Sequence, residues 1–146
     1  MIENPDPKSQ IPTKSQIPPL GREEGAGGGR RYDLRDRTLA FALSILRLTA
    51  KIPGSAEGQA VRRQLARSGP SVGANVEEAD AAISRAEKRR IFAIARREAQ
   101  ETRYWLMLLR GLWPERLPLQ EELREVNEIL RILSAIIVRL GPVKAE

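Results

Sequence analysis

Between Leu119 and Leu140 the large apolar residues Leu119, Leu123, Val126, Leu130, Leu133, Ile137 and Leu140 recur at alternating steps of four and three. That rhythm keeps one side of an α-helix apolar, as in a coiled-coil-like seam, and Gly141 with Pro142 supplies the stop. The segment before it opens with Ser84 and Glu87 at capping-box spacing and runs to about Arg110, ahead of Gly111 and Pro114. Its inward side is Ile91, Ile94, Ala95, Thr102, Trp105, Leu106 and Leu109. From Glu57 to Ile83, the residues Val61, Leu65, Ser68, Val72, Val76, Ala79 and Ile83 hold a helical phase through Gly69 and Pro70. The pattern predicts one bent helix there, with two shorter helices as the alternative, because proline removes a hydrogen bond and kinks the axis. The first helix is predicted from a cap at Asp33 to Ile52, before the turn pair Pro53 and Gly54. It carries two stripes: Leu34, Phe41, Ile45, Leu48 and Ile52 on one, Leu39, Leu43 and Leu46 on the other. One core needs only the first, so the second calls for a partner surface.

Four amphipathic helices of roughly 20 to 28 residues joined by short turns predict an all-α fold, an antiparallel up-down four-helix bundle over residues 31–142. Residues 1–30 are of another kind, with Pro5, Pro7, Pro12, Pro18 and Pro19 followed by Gly21, Gly25, Gly27, Gly28 and Gly29. With so little apolar surface to bury, this stretch is expected to be a disordered arm, and it repeats KSQIP at Lys8–Pro12 and Lys14–Pro18. Residues 143–146 form a short C-terminal tail.

Composition narrows the chemistry. The sequence has no His and no Cys, which removes thiol nucleophiles, imidazole or thiolate metal ligands and the usual proton shuttle near neutral pH. No catalytic residue, metal site or cofactor is therefore predicted, and the lack of Cys fits a cytoplasmic location. No run reaches the roughly 20 apolar residues of a membrane span. With 25 Lys and Arg against 19 Asp and Glu the net charge is +6, which makes a polyanion the natural partner. Ahead of Arg30 the balance is −1, so the remainder carries +7.

That excess gathers on the third helix. Arg89, Arg96, Arg103 and Arg110 recur at steps of seven with Arg85 one turn ahead, and Lys88, Arg90 and Arg97 add to them. Arg62, Arg63 and Arg67 form a smaller group on the second helix. Together these eleven are the candidate nucleic-acid-binding residues, to be weighed against the plainer reading of a solvated face or salt bridges to neighbouring helices. Few aromatics lie outside the presumed core, so no stacking platform for single strands is expected, and binding should follow phosphate charge and shape. Ser71, Asn75 and Glu78 line a polar edge beside the apolar stripe of the second helix, continuing from Ser68. Glu98 points among Ile91, Ala95, Thr102 and Trp105 on the third. An isolated buried charge is too costly to persist, so these four are assigned to a polar cross-link within or between subunits. An acid–base or metal pair of Glu78 and Glu98 is the less favoured alternative, since the Glu-x-x-His pattern of di-metal bundles is missing. Gly69 and Gly73, one turn apart, permit the close approach of another backbone, a packing role.

The segment SGPSVGANVEEA, Ser68–Ala79, and the later EAQETRYWLMLL, Glu98–Leu109, together resemble the bacterial four-helix-bundle proteins encoded by intervening sequences of 23S ribosomal RNA genes, a family that also takes in the accessory variability proteins of diversity-generating retroelements. Ser71, Gly73, Ala74, Asn75 and Glu78 carry the first motif, and Glu98, Glu101, Thr102, Tyr104, Trp105 and Leu106 the second; Pro70 stands where a small or hydroxyl residue is expected. The resemblance implies a non-enzymatic homopentameric barrel with a basic surface. In its retroelement branch it implies binding to RNA and to a reverse transcriptase. The leading expectation is thus an RNA-binding accessory subunit of such a retroelement. The alternatives are a ribosomal-intervening-sequence protein, or a protein-binding scaffold with no direct nucleic-acid role.

Overall fold

The computed structural model of the chain describes residues 29–142. The arm predicted over residues 1–30 falls outside them except for Gly29 and Arg30, as do residues 143–146. Every regular element among the described residues is helical: α1 (Gly29–Thr49), α2 (Ala56–Ala81), α3 (Arg85–Leu112) and α4 (Gln120–Leu140). α2 packs broadly on α3 and α1, α3 packs on α4, and α1 meets α4 more lightly, which closes the ring of four. Contacts run head to tail at each seam. Arg35 near the start of α1 reaches Glu77 near the end of α2, and Arg85 at the start of α3 reaches the carbonyls of Arg139 and Leu140 at the end of α4. The bundle is therefore up-down-up-down.

Its core is the stripe read from the pattern. Phe41, Ile45, Leu65, Val72, Val76, Ile91, Leu106, Leu109, Val126 and Leu133 are all shut from solvent. Ile129, Phe92 and Ala99 join them from beside the predicted seam lines, because a helix inside a closed ring faces two neighbours and buries an arc wider than one stripe.

Several predicted boundaries move. α1 begins at Gly29, so Asp33 lies inside the helix rather than at its cap; nothing between Gly29 and Asp33 breaks helical geometry. At its other end the chain leaves α1 at Thr49, and the peptide N–H groups of Lys51 and Ile52 bond back to Leu48 and Thr49 at 2.9 and 3.3 Å. Ile83, expected in the core, is fully exposed. α2 ends at Ala81, and the connection to the Ser84 cap is so short that one residue must turn outward.

α2 is continuous through Pro70. A proline in a helix interior costs about 3 kcal/mol through its lost N–H and its clash with the preceding turn. Here Val61, Leu65 and Ser68 before it and Val72, Val76 and Ala79 after it are buried along one line. Breaking the helix would expose one half or the other, and burying a single large aliphatic side chain is worth about 1.5–3 kcal/mol.

Small residues set how closely α1 and α2 approach. A Cβ on Gly69 would lie 2.7 Å from Ile45 Cγ2, and one on Gly73 would lie 3.2 Å from Thr38 Oγ1. What closes on these two glycines is chiefly side chains of α1 rather than the bare backbone expected there, with the backbone of Thr38 next at 3.4 Å from a Cβ on Gly73. Thr38 is itself buried and satisfied, its hydroxyl donating to the carbonyl of Leu34 at 2.9 Å. Caps fix the helix ends: Ser55 Oγ accepts from Gly58 N–H, Ser84 Oγ accepts from Glu87 N–H at 3.1 Å, and Gly141 takes the positive φ of 74° that ends α4.

Candidate nucleic-acid interface

The arginine-rich helix α3 turns its inward side to α2 and α4, and the polar residues of the α2–α3 seam hold it in register. Ser68 and Thr102 are both fully buried, and the Thr102 hydroxyl lies 2.8 Å from that of Ser68 and also 2.8 Å from the carbonyl of Glu98. Just outside this pair, Arg67 of α2 donates to Glu98 Oε2 at 3.2 Å and to Glu101 Oε1. Glu101 also accepts from the Trp105 indole N–H at 3.3 Å. The hydrogen bond from Arg67, with a smaller contribution from Trp105, holds the Glu101 carboxyl below the usual carboxylate range, while partial burial opposes the shift; the same bond raises the Arg67 guanidinium.

A depressed carboxyl means that the unfolded chain binds the proton more readily. The contribution of Glu101 to stability is therefore present above the ordinary glutamate range near pH 4.3 and is lost as pH falls through the lower folded value. Urea titrations should show Glu101→Gln less stable than the parent at neutral pH, with the gap closing in acid. A gap that is constant with pH would mean that the ion pair contributes nothing.

The eleven cations singled out in the sequence divide into three groups. Arg62 donates through Nε to the Thr49 carbonyl at 3.0 Å and through Nη2 to that of Ile52. Arg85 donates to the carbonyls of Leu140 and Arg139, both at 2.8 Å. These two guanidinium groups close helix ends, where unpaired carbonyls and the negative pole of the helix attract cations. With Arg67 held by Glu98 and Glu101, three of the candidates are engaged inside the fold. Lys88 and Arg89 are half-buried, and Arg89 Nε is enclosed without a hydrogen-bond partner. Arg63, Arg90, Arg96, Arg97, Arg103 and Arg110 are exposed and close no ion pair among the described residues. Four of these six, Arg96, Arg97, Arg103 and Arg110, follow one another along the outer side of α3.

Of the four residues assigned to a polar cross-link, Glu98 alone bridges two helices, through Arg67. Ser71 Oγ donates to the Arg67 carbonyl and Asn75 Nδ2 to the Ser71 carbonyl, each at 2.7 Å and each within α2, while Glu78 is exposed. Short polar side chains in a helix turn back on the preceding turn when no partner faces them. The cross-link inside the subunit is instead Ser68 with Thr102, reinforced by Arg67.

One aromatic side chain outside the core does stand open to solvent. Phe41 and Phe92 are buried, but Tyr104 is 56% exposed on the outer side of α3, its ring set edge-on to Trp105 with centroids 5.2 Å apart. Met107, Leu108 and Leu112 continue this open apolar surface toward the end of the helix. On α1 the second stripe is the less covered one: Leu39 is exposed and Leu43 and Leu46 are half-buried. Beside that stripe, a groove of about 480 Å³ separates α1 from α4. It is spanned by Arg37 on Glu125, paired at 2.9 and 3.0 Å, and by Ser44 donating to Glu122 at 3.0 Å.

Among the described residues no cluster of three or more His, Cys, Asp or Glu could hold a metal ion, and no helix is long and apolar enough to cross a membrane. Residues 30–137, nearly the whole bundle, match the model of the family described as 23S rRNA-intervening sequence protein. The chain belongs to that family. A solved structure similar to this member is that of a protein of unknown function from the S23 ribosomal protein family of Bacteroides thetaiotaomicron VPI-5482. It is 35% identical, with a TM-score of 0.63 over 71% of this chain and 97% of that one. No curated protein matches this intervening-sequence protein. Of the two branches of the resemblance, these findings fall on the ribosomal-intervening-sequence one, while the retroelement accessory role finds no support in them.

Proposed function

We propose that this 23S rRNA-intervening sequence protein is a non-catalytic RNA-binding protein that works as an oligomer in the cytoplasm. Its contact surface is the outer side of α3. The observation that carries this reading is that Arg96, Arg97, Arg103 and Arg110 stand exposed in succession and close no ion pair among the described residues. Four like charges along one helix repel one another. A phosphate backbone offsets that repulsion and releases the counterions condensed on it. Guanidinium groups also suit the task, since they present planar, bidentate donors to phosphate oxygens.

Assembly belongs to the same proposal. The stripe Leu39, Leu43 and Leu46, left open or half-open in the single chain, supplies the surface on which copies meet, and a homopentameric barrel repeats the α3 face around a ring. A reverse transcriptase as partner belongs to the retroelement branch, and the reading proposed here does without it.

The test is a titration of labelled RNA with the full chain across a salt series, read by fluorescence anisotropy. Affinity should be high at low salt and fall steeply as salt rises. Failure to bind RNA at low salt overturns the reading in favour of a protein-binding scaffold, whose captured partners would survive nuclease treatment. Light scattering on the same sample should give five copies, and a monomer would remove the assembly from the proposal.

A further inference from the structure

Tyr104 occupies an unusual position for an aromatic residue in a protein with so few of them. Successive helical residues turn by about 100°, which sets Tyr104 between the row of Arg96, Arg103 and Arg110 on one side and Arg97 on the other. It is 56% exposed, yet it is not loose. Its ring rests against Trp105 at 71° with centroids 5.2 Å apart. The indole N–H of Trp105 is tied to Glu101 at 3.3 Å, and Glu101 is tied across the seam to Arg67 of α2. A cross-helix ion pair thus steadies an aromatic residue that stands open to solvent among guanidinium groups that close no ion pair among the described residues.

Resting on the RNA-binding reading above, we propose that Tyr104 is a stacking platform for an unpaired base, so that this face prefers single-stranded RNA to a duplex. Both parts of the chemistry are in place. Arginines on either side hold the phosphates of a strand that crosses the helix, and the tyrosine ring offers a π-face to a base from that strand. Every base inside a duplex already has both faces covered by its neighbours, so only a splayed or unpaired base can use the ring. Stacking is tolerant of base identity, so the preference is for strandedness rather than for sequence. The fixed position of the ring matters, because a side chain already held in its binding geometry gives up little freedom when the base arrives.

The experiment compares the full chain with Tyr104→Phe and Tyr104→Leu, each titrated with a labelled single-stranded RNA and with the duplex of the same sequence, and each checked for oligomeric state by light scattering. Leucine keeps apolar bulk and helix propensity but removes the π-face, whereas phenylalanine keeps the face and loses only the hydroxyl. Tyr104→Leu should lower single-strand affinity roughly tenfold, leave duplex affinity unchanged and assemble like the parent, and Tyr104→Phe should behave as the parent on both. Equal losses on both RNAs, or no loss on either, overturn the stacking role while leaving charge-driven RNA binding standing. A changed subunit number in Tyr104→Leu overturns it too, by showing that the ring packs against a second copy. No binding of either RNA by the parent defeats the RNA-binding reading itself, and the platform with it.

Discussion

Changing Arg96, Arg103 and Arg110 together to glutamate should leave helix content and thermal midpoint close to those of the parent and lower RNA affinity on the order of a hundredfold or more at low salt. The fold should tolerate the change because all three side chains are exposed and close no ion pair among the described residues, and surface substitutions of this kind usually shift stability by no more than about 0.5 kcal/mol each. The loss in binding has a second signature. Each phosphate contact on a single strand contributes about 0.7 to the slope of log affinity against log salt, so removing three should flatten that slope by roughly 2. Anisotropy titrations across the salt series read both quantities. Arg62→Ala and Arg85→Ala serve as opposite controls. Each removes one positive charge, but from a guanidinium group that bonds to helix-end carbonyls, those of Thr49 and Ile52 for Arg62 and those of Leu140 and Arg139 for Arg85. These variants should lose stability while keeping most of the RNA affinity. If the glutamate triple binds RNA as the parent does, with the same salt slope, the outer side of α3 is not the contact surface.

That pair of behaviours marks where the sequence was legible and where it was not. Periodicity located all four helices and most of the core, because burial repeats with the helical turn and the turn is the same everywhere. Ser84 with Glu87 announced the start of α3 for a similar reason, since a cap is a local device written in neighbouring residues. The division of the arginines was hidden because it depends on distant chain. Arg62 and Arg63 are adjacent and chemically identical, yet one faces the end of α1 and the other faces solvent. Arg85 looked like the first member of the row Arg89, Arg96, Arg103, Arg110, but position at the helix start brings it to the last carbonyls of α4. Ser68 and Thr102 were placed on the correct stripes, though that they meet each other depends on the stagger of α2 against α3. Tyr104 is a different case. The wheel that aligned the arginines already put it on their side, and its neighbour Trp105 on the inward side, so exposure was readable from spacing alone.

Gly58→Ala should be the most damaging alanine substitution among the glycines of the bundle, lowering stability by about 2–3 kcal/mol and the melting temperature by roughly 10 °C. The reason is proximity, not backbone conformation, since Gly58 has no positive φ. It is buried in the first turn of α2, where a Cβ would run into the carbonyl oxygen of Pro53. That carbonyl cannot easily retreat. Its turn is fastened on every side: Ile52 is buried, Arg62 bonds to the carbonyls of Thr49 and Ile52, Gln59 Nε2 donates to the carbonyl of Gly54 at 3.0 Å, and Ser55 caps the helix by accepting from Gly58 N–H. Moving Pro53 would strain all of these at once. The same substitution elsewhere should behave differently. At Gly69 the obstacle is the buried side chain of Ile45, whose Cγ2 and Cβ would lie 2.7 and 3.0 Å from the added Cβ; this clash is looser than that at Gly58 and meets no backbone, and the better helix propensity of alanine, worth about 1 kcal/mol, offsets part of it. At Gly111, in the last turn of α3, nothing lies near the added Cβ, and alanine should be neutral or stabilise by a few tenths of a kcal/mol. Thermal melts of the three variants should therefore rank Gly111→Ala highest, Gly69→Ala next and Gly58→Ala far below. A Gly58→Ala protein that melts with the parent would mean that the turn at Pro53 and Gly54 is free to move, and that Arg62 does not pin it.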